Sequence, residues 1–219
     1  AKADPPARGA GSSARPWSGT LLVGLIIQET PTVKTFRLLA PDGQSIPFRF
    51  LPGQFVQITV PAGPGKGKVV RRSYTIASSP SQTAFIDVTV KRETSGVVSQ
   101  YLHDNVASGV ELRVSGPFGA FTFAGSDAGS IVLIAGGVGI TPMMSVLRYL
   151  TDTAWQGEIF FVYAARSTDE FVYRAEIELL EHRHPNLHVF ATMRRAPGTV
   201  WHGAEGQITK EVLATAVPD

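Results

Sequence analysis

The 219-residue chain is 43% hydrophobic and 17% charged, a composition typical of a soluble globular protein with enough apolar material for a core. Its 20 Lys and Arg residues are scattered and balanced by 18 Asp and Glu residues, leaving a net charge of +2, which argues against a nucleic-acid binder. The absence of cysteine excludes disulfides, cysteine-ligated iron–sulfur clusters and thiolate zinc sites within the chain.

The first 17 residues are rich in Ala, Gly, Pro, Ser and Arg and contain no apolar stretch of the kind found in signal peptides. This composition predicts a flexible tail. No apolar run reaches the roughly 18 residues that a membrane span needs, so we expect no membrane partner. The cytoplasm is the expected compartment.

Six short segments between residues 18 and 124 have the length and composition of β-strands. A short helix is predicted at about residues 97–104, between the fifth and sixth segments. Six strands at this spacing predict a closed antiparallel barrel. The segments are LLVGLIIQ, TVKTFRLLA, QFVQITV, RRSYTIAS, AFIDVTVKR and VELRVSG.

From residue 129 to residue 219, strands alternate with helices, which indicates a parallel sheet built from β-α-β units. The sequence therefore predicts a β-barrel followed by a Rossmann-like α/β domain with an incomplete, three-stranded sheet. The strands are predicted at 131–135, 159–165 and 187–192, and the helices after the glycine turn, at about 169–182 and at 208–217.

The segment GGVGITP, which begins at Gly136, follows a buried strand and opens a helix. Its glycines allow a tight turn and close approach of the backbone to a ligand. Thr141 is expected to cap the helix and Pro142 to be its first residue. The free N–H groups of such a helix attract phosphate, although a glycine turn without a ligand fits the same letters.

A second helix start with the potential to bind phosphate lies in the barrel. Gly96 ends a strand, and the N–H groups of Val97, Val98 and Ser99 begin the helix, with the Ser99 hydroxyl as a further donor. Capping of this helix by Ser95 for its own sake explains the same pattern.

Two other features carry no chemistry in this interpretation. The GPGKGK loop at 63–68 imitates a P-loop but lacks the final Ser or Thr and a following helix, so we interpret it as a mobile hairpin loop. His182, His184 and His188 surround a helix end without the spacing of metal ligands, so no metal site is expected.

Four motifs occur in a fixed order along the chain: RRSYT, then GVVS followed by Leu, then GPFGAF, then GGVGITP. Together they resemble the ferredoxin–NADP reductase superfamily, whose members have a flavin-binding barrel followed by a nicotinamide-nucleotide domain. PGQF before the first motif and YAAR in the second half are also similar to that family. The resemblance covers about residues 18–219.

The resemblance implies a flavin site on the RRSYT strand. Arg72 is expected to bind the flavin phosphate, Tyr74 to pack on the isoalloxazine, and Thr75, where the family more often has Ser, to lie near N5. A guanidinium suits bidentate phosphate contact and an aromatic ring suits a flat ligand. Thr75 and Thr141 are the expected catalytic residues. Further cofactor contacts are implied for Ser73, Val90, Lys91, Gly96, Val97, Val98, Ser99, Gly137, Val138, Gly139, Pro142, Arg166 and Arg194.

By the same resemblance, the protein passes hydride from NAD(P)H to FAD and then single electrons to a ferredoxin-type 2Fe–2S domain or protein, or to an oxygenase. FMN fits the same residues, and family frequency favours FAD. Family members continue with a Cys-Gly-Pro strand and a terminal helix. We therefore expect a longer natural chain, whose remaining part completes the nicotinamide pocket and is a candidate location for an iron–sulfur domain.

Two alternative functions are compatible with parts of this pattern. The first is a flavin- or nucleotide-binding module without turnover. The second is a barrel of the OB type that binds single-stranded nucleic acid, but it needs aromatic platforms among Lys and Arg, and the strands here carry mainly aliphatic residues.

Arg166, Arg194 and Arg195 follow the second and third strands of the second half, where a 2′-phosphate is recognised, and Asp169 lies nearby as a candidate ribose acceptor. We expect both NADH and NADPH to be used, with the preference governed by Arg194 and Arg195.

Overall fold

Six strands of the N-terminal half form one antiparallel sheet in the computed structural model, which describes residues 16–62, 68–126, 128–194 and 201–217. The strand order is β4-β3-β6-β1-β2-β5, with helix α1 between β5 and β6 in sequence. The elements are β1 (Trp17–Thr30), β2 (Val33–Leu39), β3 (Phe55–Pro61), β4 (Val69–Thr75), β5 (Phe85–Lys91), α1 (Val97–Asn105) and β6 (Glu111–Phe118).

Alternation along β5 shows how this sheet divides its two faces. Ile86, Val88 and Val90 are buried in the barrel core, as every second residue of a strand must lie on one face. Asp87 and Thr89 point the other way and are also buried, beneath the second half of the chain. The sheet is therefore apolar inside the barrel and polar where the two halves meet.

The two edge strands, β4 and β5, meet at one bridge, between Ile76 and Val88, and no longer ladder joins them within the described residues. The six-stranded antiparallel architecture is confirmed, but its closure is partial. Because Ile76 lies just beyond the end of β4, an opening remains beside residues 72–75.

The C-terminal half is a parallel sheet of four strands in the order β10-β9-β8-β7. The α/β prediction is confirmed, but the expectation of three strands is wrong, since β10 is only two residues long and too short to show a periodic pattern. The elements are β7 (Ser130–Gly136), α2 (Ile140–Asp152), β8 (Glu158–Ala165), α3 (Arg174–Arg183), β9 (Leu187–Met193), β10 (Ala204–Glu205) and α4 (Lys210–Ala216).

Helix α3 begins later than its sequence pattern predicts. A single 3₁₀ turn, Thr168–Glu170, occupies the expected first turn, and Tyr173 then adopts a left-handed conformation with φ of 60°. A non-glycine residue in this region interrupts a right-handed helix. The α-helix can therefore start only at Arg174.

Several sequence predictions fall outside the described residues: the N-terminal tail up to residue 15, most of the 63–68 loop, and Arg195. In the part of the chain that the structure describes, no helix combines the length and apolarity needed to cross a bilayer.

Candidate functional site

A cleft of about 320 Å³ opens beside β4, where the barrel edges diverge. We call it the barrel cleft. Side chains and backbone from β4, β5, the start of α1 and the glycine turn after β7 line it, so three separate sequence motifs meet there. Of the predicted site residues, it brings together Arg72, Ser73, Tyr74, Thr75, Lys91, Gly96, Val98, Ser99, Val138 and Thr141.

Arg72 and Tyr74 both line the barrel cleft, but their environments differ. Arg72 is exposed, and its Nη1 donates to the carbonyl oxygen of Arg71 at 2.8 Å. Tyr74 is half-buried against the barrel core, and burial raises the pKa of its hydroxyl to about 12, although the Arg72 charge opposes this. Tyr74 is therefore a neutral aromatic surface at physiological pH, beside a cation that can reach an anionic ligand.

Helix α1 begins at the cleft with Gly96 as its N-cap and no side-chain cap, so Ser95 does not cap it. A Cβ on Gly96 would lie 2.4 Å from Ser99 Oγ and 3.0 Å from Glu93 Cβ, so a larger residue here would have to displace the Ser99 side chain. The Ser99 hydroxyl donates to the Gly96 carbonyl at 3.0 Å and accepts from the Glu93 N–H at 3.1 Å. The expectation that this hydroxyl is free to donate is therefore wrong, which leaves the backbone N–H groups of the uncapped first turn as the candidate donors.

Seven of the predicted cofactor contacts do not line the barrel cleft. Gly137, Arg166 and Arg194 line a second cleft, described below, whereas Val90, Val97, Gly139 and Pro142 line neither. The Val90 side chain is buried in the barrel core, and its carbonyl oxygen lies 2.8 Å from His103 Nε2. Val97 is exposed at the start of α1, and Pro142 lies within α2. Because the Val90 side chain is buried, only its backbone can contact a ligand.

A second cleft, of about 530 Å³, lies at the carboxyl ends of β7, β8 and β9. We call it the sheet cleft. Arg166 and Arg194 line it together with Glu170 and residues 206–208. The carboxyl edge of a parallel sheet is where nucleotides bind in open α/β folds.

The two clefts adjoin. Lys91, Glu93 and Val138 line both, so a ligand in the sheet cleft and a ligand in the barrel cleft share these three residues as walls.

The glycine turn lies at the junction of the two clefts. Gly137 has a φ of 52°, and a Cβ there would meet no atom within 4 Å, so the turn faces open space. The Tyr163 hydroxyl, whose pKa burial raises to about 12, donates to the Gly137 carbonyl at 3.1 Å and fixes the turn. The Tyr163 hydrogen bond therefore holds the turn on one side, and the open side can be approached by a phosphate.

The expected roles of Thr141 and Pro142 at the start of α2 are wrong. The helix starts at Ile140 with Gly139 as N-cap, which makes Pro142 its third residue. The Thr141 hydroxyl instead donates to the Val138 carbonyl at 3.3 Å, and the residue is 7% exposed at the wall of the barrel cleft. A 3₁₀ turn at Gly137–Gly139 supplies the first bend and brings the helix start forward.

Arg148 joins α2 to the segment that follows the RRSYT strand. Its guanidinium donates to both carboxylate oxygens of Glu176, at 2.7 and 2.6 Å, and to the Ala77 carbonyl at 2.7 Å. Ser145, one turn earlier, donates to the Ser78 carbonyl at 3.1 Å. Burial opposes the charge of Arg148, but the Glu176 hydrogen bonds hold its pKa above the ordinary value. These contacts fix the glycine turn relative to the β4 strand.

Sequence reasoning missed Thr89 and Glu93 in the barrel cleft and residues 206–208 in the sheet cleft. A signal for Thr89 existed, because Asp87, Thr89 and Lys91 alternate with aliphatic residues and so mark a polar outer face on β5. The residues after β10 carried no comparable pattern.

Comparison with known proteins agrees with this geometry. Residues 26–123 match the family model described as an oxidoreductase FAD-binding domain, and residues 133–219 match the model described as an oxidoreductase NAD-binding domain. The chain is 40% identical over 196 residues to the glycine betaine monooxygenase reductase subunit of Pseudomonas aeruginosa, covering 89% of this chain and 52% of that protein.

The chain is also 30% identical to the stachydrine N-demethylase reductase subunit of Rhizobium meliloti, over 87% of this chain and 53% of that protein. The chain thus spans about half the length of these curated relatives. Among solved structures, the FAD/NAD-binding domain of the Vibrio cholerae nitric oxide dioxygenase superposes with a TM-score of 0.78 at 27% identity, covering 87% of this chain and 79% of that domain. The chain therefore belongs to the ferredoxin reductase-like oxidoreductases, with an FAD-binding domain followed by a NAD-binding domain.

Proposed function

We propose that this chain is the flavin and nicotinamide module of an oxygenase reductase, which passes hydride from NAD(P)H to FAD and then single electrons to an oxygenase system. The observation that carries the proposal is the junction of the two clefts at Lys91, Glu93 and Val138. A reductase of this type needs its two cofactor rings in contact and its phosphate sites apart, and adjoining clefts on two different sheets meet both needs.

The barrel cleft fits FAD. Arg72 is positioned to bind phosphate through its guanidinium, and the uncapped start of α1 offers backbone N–H groups to the same group. Tyr74 offers a neutral aromatic surface to the flavin ring. The tight turn at Gly96, where a Cβ would collide with Ser99, keeps that helix start close to the cleft.

The sheet cleft fits a nicotinamide nucleotide. The glycine turn at Gly137 faces open space beside the start of α2, which suits a pyrophosphate. Arg166 and Arg194 lie at the far side, where the adenosine part would extend. Thr75 and Thr141 both line the barrel cleft near the junction and are the hydroxyls we assign to positioning the reacting rings.

When bound, FAD accepts a hydride and returns electrons singly, which is the chemistry that a two-electron donor and a one-electron acceptor require. The protein's part is orientation. The Arg148 contacts to Glu176 and Ala77 hold the two clefts in a fixed relative position. Hydride transfer itself needs no described side chain as a general acid.

We propose an oxygenase component as the final electron acceptor, because the relatives named above are reductase subunits of a monooxygenase and of an N-demethylase. A 2Fe–2S domain or protein is proposed as the intermediate carrier, and it must lie outside this cysteine-free chain. The cytoplasm is the proposed compartment.

The test is to load the purified protein with FAD and mix it anaerobically with NADH or NADPH. The flavin absorbance should bleach with at least one nucleotide, and ferricyanide, a one-electron acceptor, should then restore it. Failure to bind FAD, or bound FAD that neither nucleotide reduces, would contradict the proposal.

A further inference from the structure

Four polar side chains from both halves of the molecule form one continuous hydrogen-bonded chain. Thr35 Oγ1 donates to Glu29 Oε1 at 2.6 Å, and Thr35 Oγ1 and Thr89 Oγ1 lie 2.7 Å apart. The Thr89 hydroxyl is in turn hydrogen-bonded to the hydroxyl of Tyr173. Thr35 and Thr89 are direct cross-strand partners on β2 and β5, so the sheet register itself sets their contact.

Counting hydrogens fixes the direction of this chain. An ionised Glu29 can only accept, so the single hydroxyl hydrogen of Thr35 is used toward it. The Thr35–Thr89 contact must then use the hydrogen of Thr89, and the Thr89–Tyr173 contact must use that of Tyr173. Every hydrogen in the chain therefore points toward Glu29. One lone pair of Thr89 remains free, because Tyr173 occupies only the other.

The chain connects two separate spaces. Thr89 lines the barrel cleft beside Tyr74 and Thr75. Glu29 and Thr35 line a different cavity, of about 910 Å³, between the two halves. We call it the interface cavity. Glu29 is half-buried, so its carboxylate can exchange protons with water.

The surroundings of Glu29 favour proton uptake. Burial raises its pKa, opposed by the Thr35 hydrogen bond and the charge of Arg148, while the charges of Glu176 and Asp87 raise it further. Other charged or titratable groups line the interface cavity from β2, α2, the 3₁₀ turn and α3: Arg37, Asp152, Asp169, Tyr173 and Arg174. Arg37 is bidentate with Asp87, and Arg148 with Glu176, which leaves Glu29 as the carboxylate at the end of the hydroxyl chain.

We propose that Thr89, Thr35 and Glu29 relay the proton that leaves the flavin site on reoxidation, a role that rests on the reductase function proposed above. Return of the anionic two-electron-reduced flavin (FADH⁻) to the oxidised state releases two electrons, taken by two equivalents of a one-electron acceptor, and one proton. That proton adds to the free lone pair of Thr89, the Thr89 hydrogen moves to Thr35, and the Thr35 hydrogen moves to Glu29. Glu29 then releases one proton to the interface cavity.

The test follows electrons and protons separately. FAD-loaded protein, reduced with dithionite and desalted anaerobically, is mixed with ferricyanide in weakly buffered solution containing phenol red, which reports proton release. In Glu29→Gln and Thr35→Val, proton release should slow by about 100-fold, the lower end of what a positioned proton-transfer group contributes. Thr35→Ser keeps the hydroxyl and should retain the wild-type rate.

Thr168→Val is the matched control. The Thr168 hydroxyl lines the same cavity, is buried, and has no hydrogen-bond partner within the described residues. Its removal should leave proton release unchanged. Thermal melting of each variant checks the fold, and if Glu29→Gln does not fold, the contrast between Thr35→Val and Thr35→Ser decides.

A second readout uses the flavin-free protein. Carbon NMR of the Glu29 carboxyl over a pH series should show a pKa above that of an ordinary Glu, raised again in Thr35→Val because the lost hydrogen bond favours the ionised form. An unchanged titration in Thr35→Val, or proton release at the wild-type rate in both Glu29→Gln and Thr35→Val, overturns the relay. Those outcomes leave the reductase function intact, whereas bound FAD that no nicotinamide nucleotide reduces refutes the function and not the relay.

Discussion

Arg148→Met should lower the free energy of unfolding by more than the loss of a surface ion pair would. The guanidinium makes three charge-assisted hydrogen bonds, two to Glu176 and one to the carbonyl of fully buried Ala77. Its side chain is 16% exposed and that of Glu176 is 37% exposed. Met fills most of the volume but leaves the Ala77 carbonyl unpaired and Glu176 without its partner.

The expected loss is about 3 kcal/mol in the free energy of unfolding, the low end for breaking a buried pair, because water can reach the half-exposed Glu176. Arg174→Met is the control, since the Arg174–Glu178 pair lies on the surface of the next helix with side chains 45% and 59% exposed. Such an i,i+4 pair contributes about 0.3–0.5 kcal/mol.

Urea unfolding of both variants at one pH measures the two losses. The stability loss of Arg148→Met should exceed that of Arg174→Met several-fold. Arg148→Lys keeps a charge but not the bidentate geometry, so its stability loss should lie between the two. Equal losses in the two methionine variants would refute the reasoning that Arg148 holds the halves together.

Three further predictions concern single residues. Arg72→Ala should weaken FAD binding by about 1.5–3 kcal/mol, measured by fluorescence titration, with exposed Arg113→Ala as an unaffected control; equal affinity in both variants would place the phosphate elsewhere. Glu29→Gln should become more stable relative to the wild type as pH rises from 4.5 through the raised pKa of folded Glu29, because the folded state disfavours the carboxylate. A difference in unfolding free energy between variant and wild type that does not change with pH, measured by urea unfolding, would contradict this. Arg194→Ala should lower the preference for NADPH over NADH by about tenfold in kcat/KM, the size of one lost charged hydrogen bond, and an unchanged ratio would show that this arginine does not contact the 2′-phosphate.

Much of the fold was predictable because most of its elements carry a recognisable sequence pattern. Strands such as β3 and β5 alternate apolar and polar residues, and the second half alternates apolar strands with helices. The strand β10 was not predictable, since two residues cannot carry a period, and neither was the late start of α3, which depends on Tyr173 adopting a left-handed conformation among interface contacts.

The site was predictable in its membership more than in its detail. The motifs carrying Arg72, Tyr74, Gly96 and Val138 meet in one cleft, as their order along the chain implied. The hydrogen bonds of Ser99 and the contacts between the halves were not predictable. They depend on how the surfaces of the two halves pack together, and the sequence pattern of one segment does not identify the residues that it contacts in the other half.

The measurement that tests the central claim most directly is the rate at which NADH or NADPH bleaches FAD in the loaded protein, compared with nucleotide deuterated at the transferred position. Adjoining clefts that bring the nicotinamide ring against the flavin predict slower bleaching with the deuterated nucleotide, because the transferred hydrogen moves directly between the two rings. Protein that binds FAD and nucleotide but shows no bleaching with either isotope would contradict the account.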